Sequence, residues 1–401
     1  MPMLEGLGFT ERSAVIIDFG SAYTKCGFAG DSGPRCIVPS VVKNSKTKKR
    51  SKIWQFKDEE ELYELLKDFL QHLYFRHLLV TPKERRVVIC ESLLCPSAFR
   101  NTLARVLFRH FEVPSVLFGP SHLLTMLTLG TNTGLVIDLG YREAVVVPVY
   151  ESISVMKALQ CLPLGGQAIH RRLASLLETA TVSTATQSEQ PLGKAAADLS
   201  EEVIEDIKVK CCFVTNFKRA KEIQEVTLYG ADEGKLPAPP PVLEYPLDGE
   251  KVLHINGKIR EHTCEVLFEQ DNEEQSVATI LLDAIVQCPI DMRKQLAANI
   301  VVTGGAAMLT GFYHRLQQEL LHLLKQPKYK RDLAISGFRF HQPPAKENCS
   351  AWLGGAMIGC LETLPHKSMS RDTYIQTGVL PDWCSLGTEP EPTKDKTPTR
   401  K

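Results

Sequence analysis

Short apolar runs alternate along the chain with stretches whose apolar residues recur every three or four positions. RRVVICE ends a buried strand near Glu91, and LVIDLG after the helix-breaking TNTG reads as another. Between them, SAFRNTLARVLFRHFEVPSVLF predicts a helix followed by a strand, and Ser121 to Leu129 a further helix. Residues 61 to 75 put Leu62, Leu65, Leu66, Phe69, Leu70 and Leu73 on one helical stripe, which predicts a core-facing helix rather than a partner groove. NIVVTGGAAMLTGF at 299 to 312 is a strand ending in Gly304-Gly305 and running into a helix. Strands interleaved with helices predict an α/β or mixed fold.

Three polar stretches break this alternation. VVKNSKTKKRSK at 41 to 52 reads as a solvated basic connector. Residues 179 to 198 and the proline-rich 231 to 250 read as loops, and the tail beyond Cys384 is expected to be disordered.

At 401 residues the chain can bury a large core, and two or more lobes are favoured over one. Lys plus Arg and Asp plus Glu both number 47, so no bulk attraction to nucleic acid or an anionic membrane is expected. The N-terminus has no basic segment leading into a long apolar run, and no window has the length of a membrane span, which points to the cytoplasm or nucleus. The 12 cysteines show no C-x-x-C pair and no zinc spacing, so reduced, mostly buried thiols are expected.

Candidate chemistry enters with a repeat. VIIDFGSAY at 15 to 23 returns 120 residues later as LVIDLGYRE at 135 to 143, each an apolar strand closed by Asp-x-Gly. Two such turns facing each other can grip a polyphosphate. Glycine lets backbone amides approach the oxygens, Ser21 and Lys25 add donors, and Asp18 and Asp138 hold a hydrated magnesium. The Gly304-Gly305 turn offers a flat surface for an adenosine. One Asp-Gly turn is common to any hairpin, but two in register with a Gly-Gly strand form a specific constellation.

DFGSAYTKCGFAGDSGPR, GLVIDLG, DIKVKCCFV, DMRKQLAANIVVTGGAAML and SAWLGGAMIG together resemble the actin fold, and GFAGD, PRCIVPS and WLGG resemble its actin branch, over residues 14 to about 384. The resemblance implies two duplicated ribonuclease-H-like lobes around a nucleotide cleft. The first lobe covers 12–134 with 345–384, with 41–57 the remnant of a second subdomain; the second covers 135–344; 385–401 is tail. It implies phosphate contacts from Asp18, Gly20, Ser21, Ala22, Lys25, Asp138, Gly140 and Arg142, and adenosine contacts from Lys208, Gly304, Gly305 and Met308. The expected cofactor is ATP or ADP with magnesium, held through water by Asp18 and Asp138.

The departures from actin carry as much information. Ala22 replaces a glycine, Tyr141 and Arg142 stand where actin has aspartate and glycine, and Val209 replaces a ribose-binding glutamate. Arg142 either pairs with a phosphate or fills the cleft. Ser121 occupies the position of the water-orienting glutamine, with His122 beside it as a replacement base or a structural histidine. No catalytic residue is therefore expected, and a bound nucleotide would join the lobes as a structural ligand.

Only 17 residues separate Ser40 from Asp58, far fewer than actin spends on the subdomain that faces the pointed end of a filament. Leu127, Leu129, Ile358 and Leu361 resemble the apolar groove that receives a neighbour at the other end, unless they are ordinary core residues. A subunit with one surface and without the other ends a filament. The short subdomain and the PDWCSL ending most resemble the pointed-end actin-related subunits of dynactin. That implies a filament of centractin or actin and dynactin subunits 4, 5 and 6 as partners, dynein indirectly, and a cytoplasmic, cytoskeletal location. The alternatives are an ATPase or phosphotransferase of the same fold, and a nuclear actin-related subunit of a chromatin-remodelling complex.

Overall fold

The computed structural model describes residues 12–43, 50–184, 187–229 and 238–381. The predicted tail, 385–401, lies outside the described residues. The two copies of the repeat each found a sheet. In the first, Val15–Phe19 runs antiparallel to Tyr23–Phe28 and parallel to Val87–Glu91. The order across this sheet is Met369–Ser370, Ser115–Pro120, Val87–Glu91, Val15–Phe19, Tyr23–Phe28, Cys36–Pro39. In the second, Gly134–Leu139 runs antiparallel to Ala144–Tyr150 and parallel to Ile300–Thr303, with Phe340–His341, Ile153–Ser154 and Gln160–Leu162 completing it. The central strands of both are almost entirely buried, as expected for parallel strands covered on both faces.

Strand Ser115–Pro120 passes directly into the helix Ser121–Thr128, which then leads to Gly134–Leu139 and so joins one sheet to the other. This helix packs tightly on Ser350–Gly359. A methyl group at Gly354 would lie 2.0 Å from the Leu124 carbonyl oxygen, so only glycine permits the approach. Trp352, fully buried two residues earlier, donates its indole N–H to the Ile16 carbonyl at 3.2 Å and ties this helix to the first sheet.

The stripe predicted over 61 to 75 is a helix at Glu59–His72, capped by the Asp58 side chain, and all six of its apolar residues are buried. The polar stretches are corrected. Val41–Lys43 and Arg50–Lys52 pair as an antiparallel hairpin, because Val42 and Ile53 anchor the segment in the first core; residues 44–49 lie outside the described residues. The two stretches read as loops contribute Thr181–Thr184, Gln187–Pro191 and Leu243–Asp248, which join Lys251–Ile255 in a four-stranded sheet. Pro246 is tolerated because its strand is the edge of that sheet. Among the described residues no helix is long and apolar enough to cross a membrane.

Candidate functional site

Both Asp-x-Gly turns open onto one cavity of about 400 Å³, within the range typical of small-molecule sites. Its wall includes Asp18, Gly20, Ser21, Ala22 and Lys25 from the first turn, Asp138, Gly140 and Arg142 from the second, and Gly304 and Gly305 from the third strand. Two of the expected adenosine contacts stand apart: Lys208 is buried in a network described below, and Met308 is exposed; neither is on this wall.

Register explains the asymmetry of the two turns. Lys25 lies opposite Asp18 across the first hairpin, and its ammonium is 2.7 Å from the carboxylate. The residue opposite Asp138 is Val145, so the second carboxylate has no such partner. Burial works against the Lys25 charge, but Asp18 more than offsets it and the pKa is raised. Asp138 is pushed up to about 6, first by burial and then by the Asp18 charge. Asp18, Asp138 and Glu143 on the wall outnumber Lys25 and Arg142, a set that repels a bare polyphosphate and accepts one accompanied by a divalent cation. No three His, Cys, Asp or Glu side chains among the described residues are grouped to hold a metal by themselves, so the cation would enter with the phosphates.

Gly304 adopts φ +97°, and a β-carbon there would lie 2.2 Å from the Leu139 carbonyl oxygen and 2.7 Å from the Asp138 carboxylate. A β-carbon on Gly305 would meet nothing within 4 Å, which leaves an open face beside the carboxylates. The residues present thus fit a magnesium-bound nucleotide.

Three features of the site escaped sequence reasoning. First, the Gly20 carbonyl accepts hydrogen bonds from the Ser40 hydroxyl at 2.6 Å and the Trp54 indole at 3.0 Å, so the segment after the hairpin fixes the first phosphate turn. Trp54 also stacks on Phe99, with centroids 3.9 Å apart and planes 6° from parallel, and lines the cavity. An indole in an otherwise basic, polar run was the available signal. Second, Lys208 is held by Glu205 at 2.6 Å with His170 at 3.5 Å, and His170 is 2.7 Å from Glu205. Burial raises the Glu205 pKa, but the His170 hydrogen bond and the Lys208 charge outweigh it and hold the carboxyl at about 2. Third, the Tyr141 hydroxyl donates to Glu201, and Glu201 and Glu202 meet Lys52 and Arg50 of the hairpin at 2.6 and 3.5 Å.

Ser121 lies on the cavity wall, whereas His122 does not. His122 is buried, with Nε2 2.6 Å from the Ser154 hydroxyl, and burial pushes its pKa down to about 4. Val209 points away from any such role at 65% exposure. Of the groove residues, Leu127 and Leu361 are exposed, while Leu129 and Ile358 are half-buried against small satellite cores.

Twin strand-turn-strand units facing a shared phosphate-sized cleft define an actin-like α/β protein. The actin family model matches residues 9–384, and the chain belongs to the actin family. It is similar to actin-related protein 10 of Dictyostelium discoideum, 26% identical over 442 aligned positions that cover 94% of this chain and 90% of that protein.

Proposed function

We propose that this actin-related protein is a non-catalytic assembly subunit that caps the pointed end of dynactin's short actin-like filament in the cytoplasm. The observation that carries this reading is the fate of the segment after Ser40. Its described residues fold back onto the molecule's own cleft, with Trp54 on Gly20, the Ile53 amide on the Ser40 carbonyl and Lys52 on Glu201. With only 17 residues between Ser40 and Asp58, little chain is available for an arm that reaches a next subunit. The exposed Leu127 and Leu361 supply apolar surface for a neighbour at the other end, so the chain joins a filament and stops it.

In this reading a magnesium-bound ATP or ADP supplies charge that bridges the two turns. Asp18 and Asp138 would hold its hydrated cation, Lys25, Ser21 and Arg142 would meet its phosphates, and Gly304 and Gly305 leave room for the nucleoside. The chain contributes closure and orientation, and turnover is slow because Ser121 is too short to place an attacking water and His122 is tied to Ser154. The partners are the centractin filament and dynactin subunits 4, 5 and 6, with a supporting role in dynein-driven transport.

The test adds purified chain to growing centractin filaments. Pointed-end elongation is expected to stop, and Leu361→Asp to remove the effect by placing a charge in an apolar contact. Continued pointed-end growth in the presence of the wild-type chain overturns the reading.

A further inference from the structure

We propose that Cys26 and Cys36 form an oxidisable thiol pair, a site at which a hydroperoxide installs a reversible disulfide that locks together the two strands behind the first phosphate turn. The two residues are direct cross-strand partners, and their sulfur atoms lie 3.2 Å apart. Opposed residues in antiparallel strands have β-carbons about 4.5–5.5 Å apart, and a disulfide needs roughly 3.5–4.5 Å, so closure requires only a small inward shift. Cys36 belongs to the edge strand and is half-buried; Cys26 is fully buried beneath it. An oxidant therefore reaches Cys36 first.

Their hydrogen bond divides the roles. It holds the Cys36 thiol below the usual range and the Cys26 thiol far above it, so Cys36 is the thiol of the pair that gives up its proton more readily. The Cys36 thiolate attacks one oxygen of hydrogen peroxide; the O–O bond breaks, the departing hydroxide takes a proton from solvent, and Cys36 becomes a sulfenic acid. Cys26 sulfur then attacks Cys36 sulfur, the S–O bond breaks, and the hydroxyl leaves as water with the Cys26 proton. Two thiols have been oxidised by two electrons and one peroxide reduced to two waters.

The consequence for the cleft follows from the strands involved. Thr24, two residues before Cys26, bonds Ser40 at 2.8 Å, and Ser40 holds the Gly20 carbonyl at 2.6 Å. The disulfide fixes the register of these strands and with it the turn. Lys25 points to the opposite side of its strand from Cys26, so its contact with Asp18 is left intact.

Trypsin cuts after Lys25, Arg35 and Lys43, so residues 26–35 and 36–43 separate unless the disulfide joins them. The full-length chain is treated with hydrogen peroxide, alkylated, and digested without reductant. The linked peptide is expected to accumulate several-fold faster than oxidation at the exposed Cys161 and Cys360, and to vanish on treatment with dithiothreitol. Separate peptides, or a Cys36 that proceeds to sulfinic acid, overturn the assignment. In Cys26→Ala the sulfenic acid has no resolving thiol, so dimedone labelling of Cys36 should rise several-fold over wild type. An unchanged label would reject the pairing even where the linked peptide is seen at low yield.

Discussion

Lys52 and Glu201 meet at 2.6 Å, one at the end of the short hairpin and the other in the first turn of the helix Glu201–Cys211. Arg50 and Glu202 make a second, longer pair beside it, and the Lys52 ammonium also sits 6.0 Å from the centre of the Tyr141 ring, whose hydroxyl bonds Glu201. The hairpin is therefore tied by charge to this helix beside Tyr141, a residue of the cavity wall. Sequence alone could not show this, because the partners are separated by about 150 residues and each reads as an ordinary surface charge.

Exposed ion pairs contribute only about 0–1 kcal/mol to stability, so a role of this contact at the cleft is read from ligand release rather than from folding. Lys52→Glu is expected to change the unfolding free energy by less than ~1 kcal/mol while speeding release of a fluorescent ATP analogue several-fold. Adding Glu201→Lys restores opposite charges and should return the rate toward wild type. Stopped-flow displacement gives the answer directly: equal release rates in all three proteins would mean that the pair does not gate the cleft.

His122 allows a test by pH. Burial holds its folded pKa near 4, against about 6.5 in an unfolded chain. Because the folded value is depressed, the neutral histidine contributes stability above pH 6.5 that is lost as pH falls toward 4. Near pH 5 the loss is about 2 kcal/mol relative to pH 7.5. His122→Gln should flatten this part of the stability curve in urea titrations and leave any ATP hydrolysis unchanged. If turnover collapsed while stability kept its pH slope, the histidine would be a catalytic base rather than a buried structural group.

What the sequence revealed and what it hid divide along a physical line. Asp18 and Asp138 were legible because their Asp-x-Gly strands repeat 120 residues apart, and the stripe from Leu62 to Leu73 because helical periodicity is a strong local signal. The strands Thr181–Thr184 and Leu243–Asp248 were not, because the first is a short run of threonine, valine and serine with no fully buried residue, and in the second Pro246, tolerated only at a sheet edge, hides the alternation of Leu243, Tyr245 and Leu247. Lys208 was placed on the adenosine side by resemblance. Its capture by Glu205 and His170 depends on burial and on packing of its own helix, Glu201–Cys211, against the earlier helix Gly166–Leu177 that carries His170, which no local pattern encodes.

Asp138 gives the sharpest test of the cleft itself. Its folded pKa is raised to about 6, so its contribution to stability is complete below the unfolded value near 3.9 and is lost as pH rises through 6. At pH 7.5 the ionised carboxylate, facing Asp18 without a lysine of its own, destabilises the empty chain. Asp138→Asn should therefore stabilise the empty chain at pH 7.5 by roughly 1–2 kcal/mol, after allowing for water in the cavity, and leave it unchanged near pH 4. A purely structural carboxylate would behave in the opposite way, its loss weakening the fold at every pH. Thermal unfolding with and without magnesium-ATP separates the two roles: wild type should gain stability on adding the nucleotide, and Asp138→Asn should gain little, since the charge that attracts the cation is gone. A variant that is stabilised by magnesium-ATP as strongly as wild type would remove Asp138 from the cation site and leave Asp18 as the carboxylate on which nucleotide binding depends.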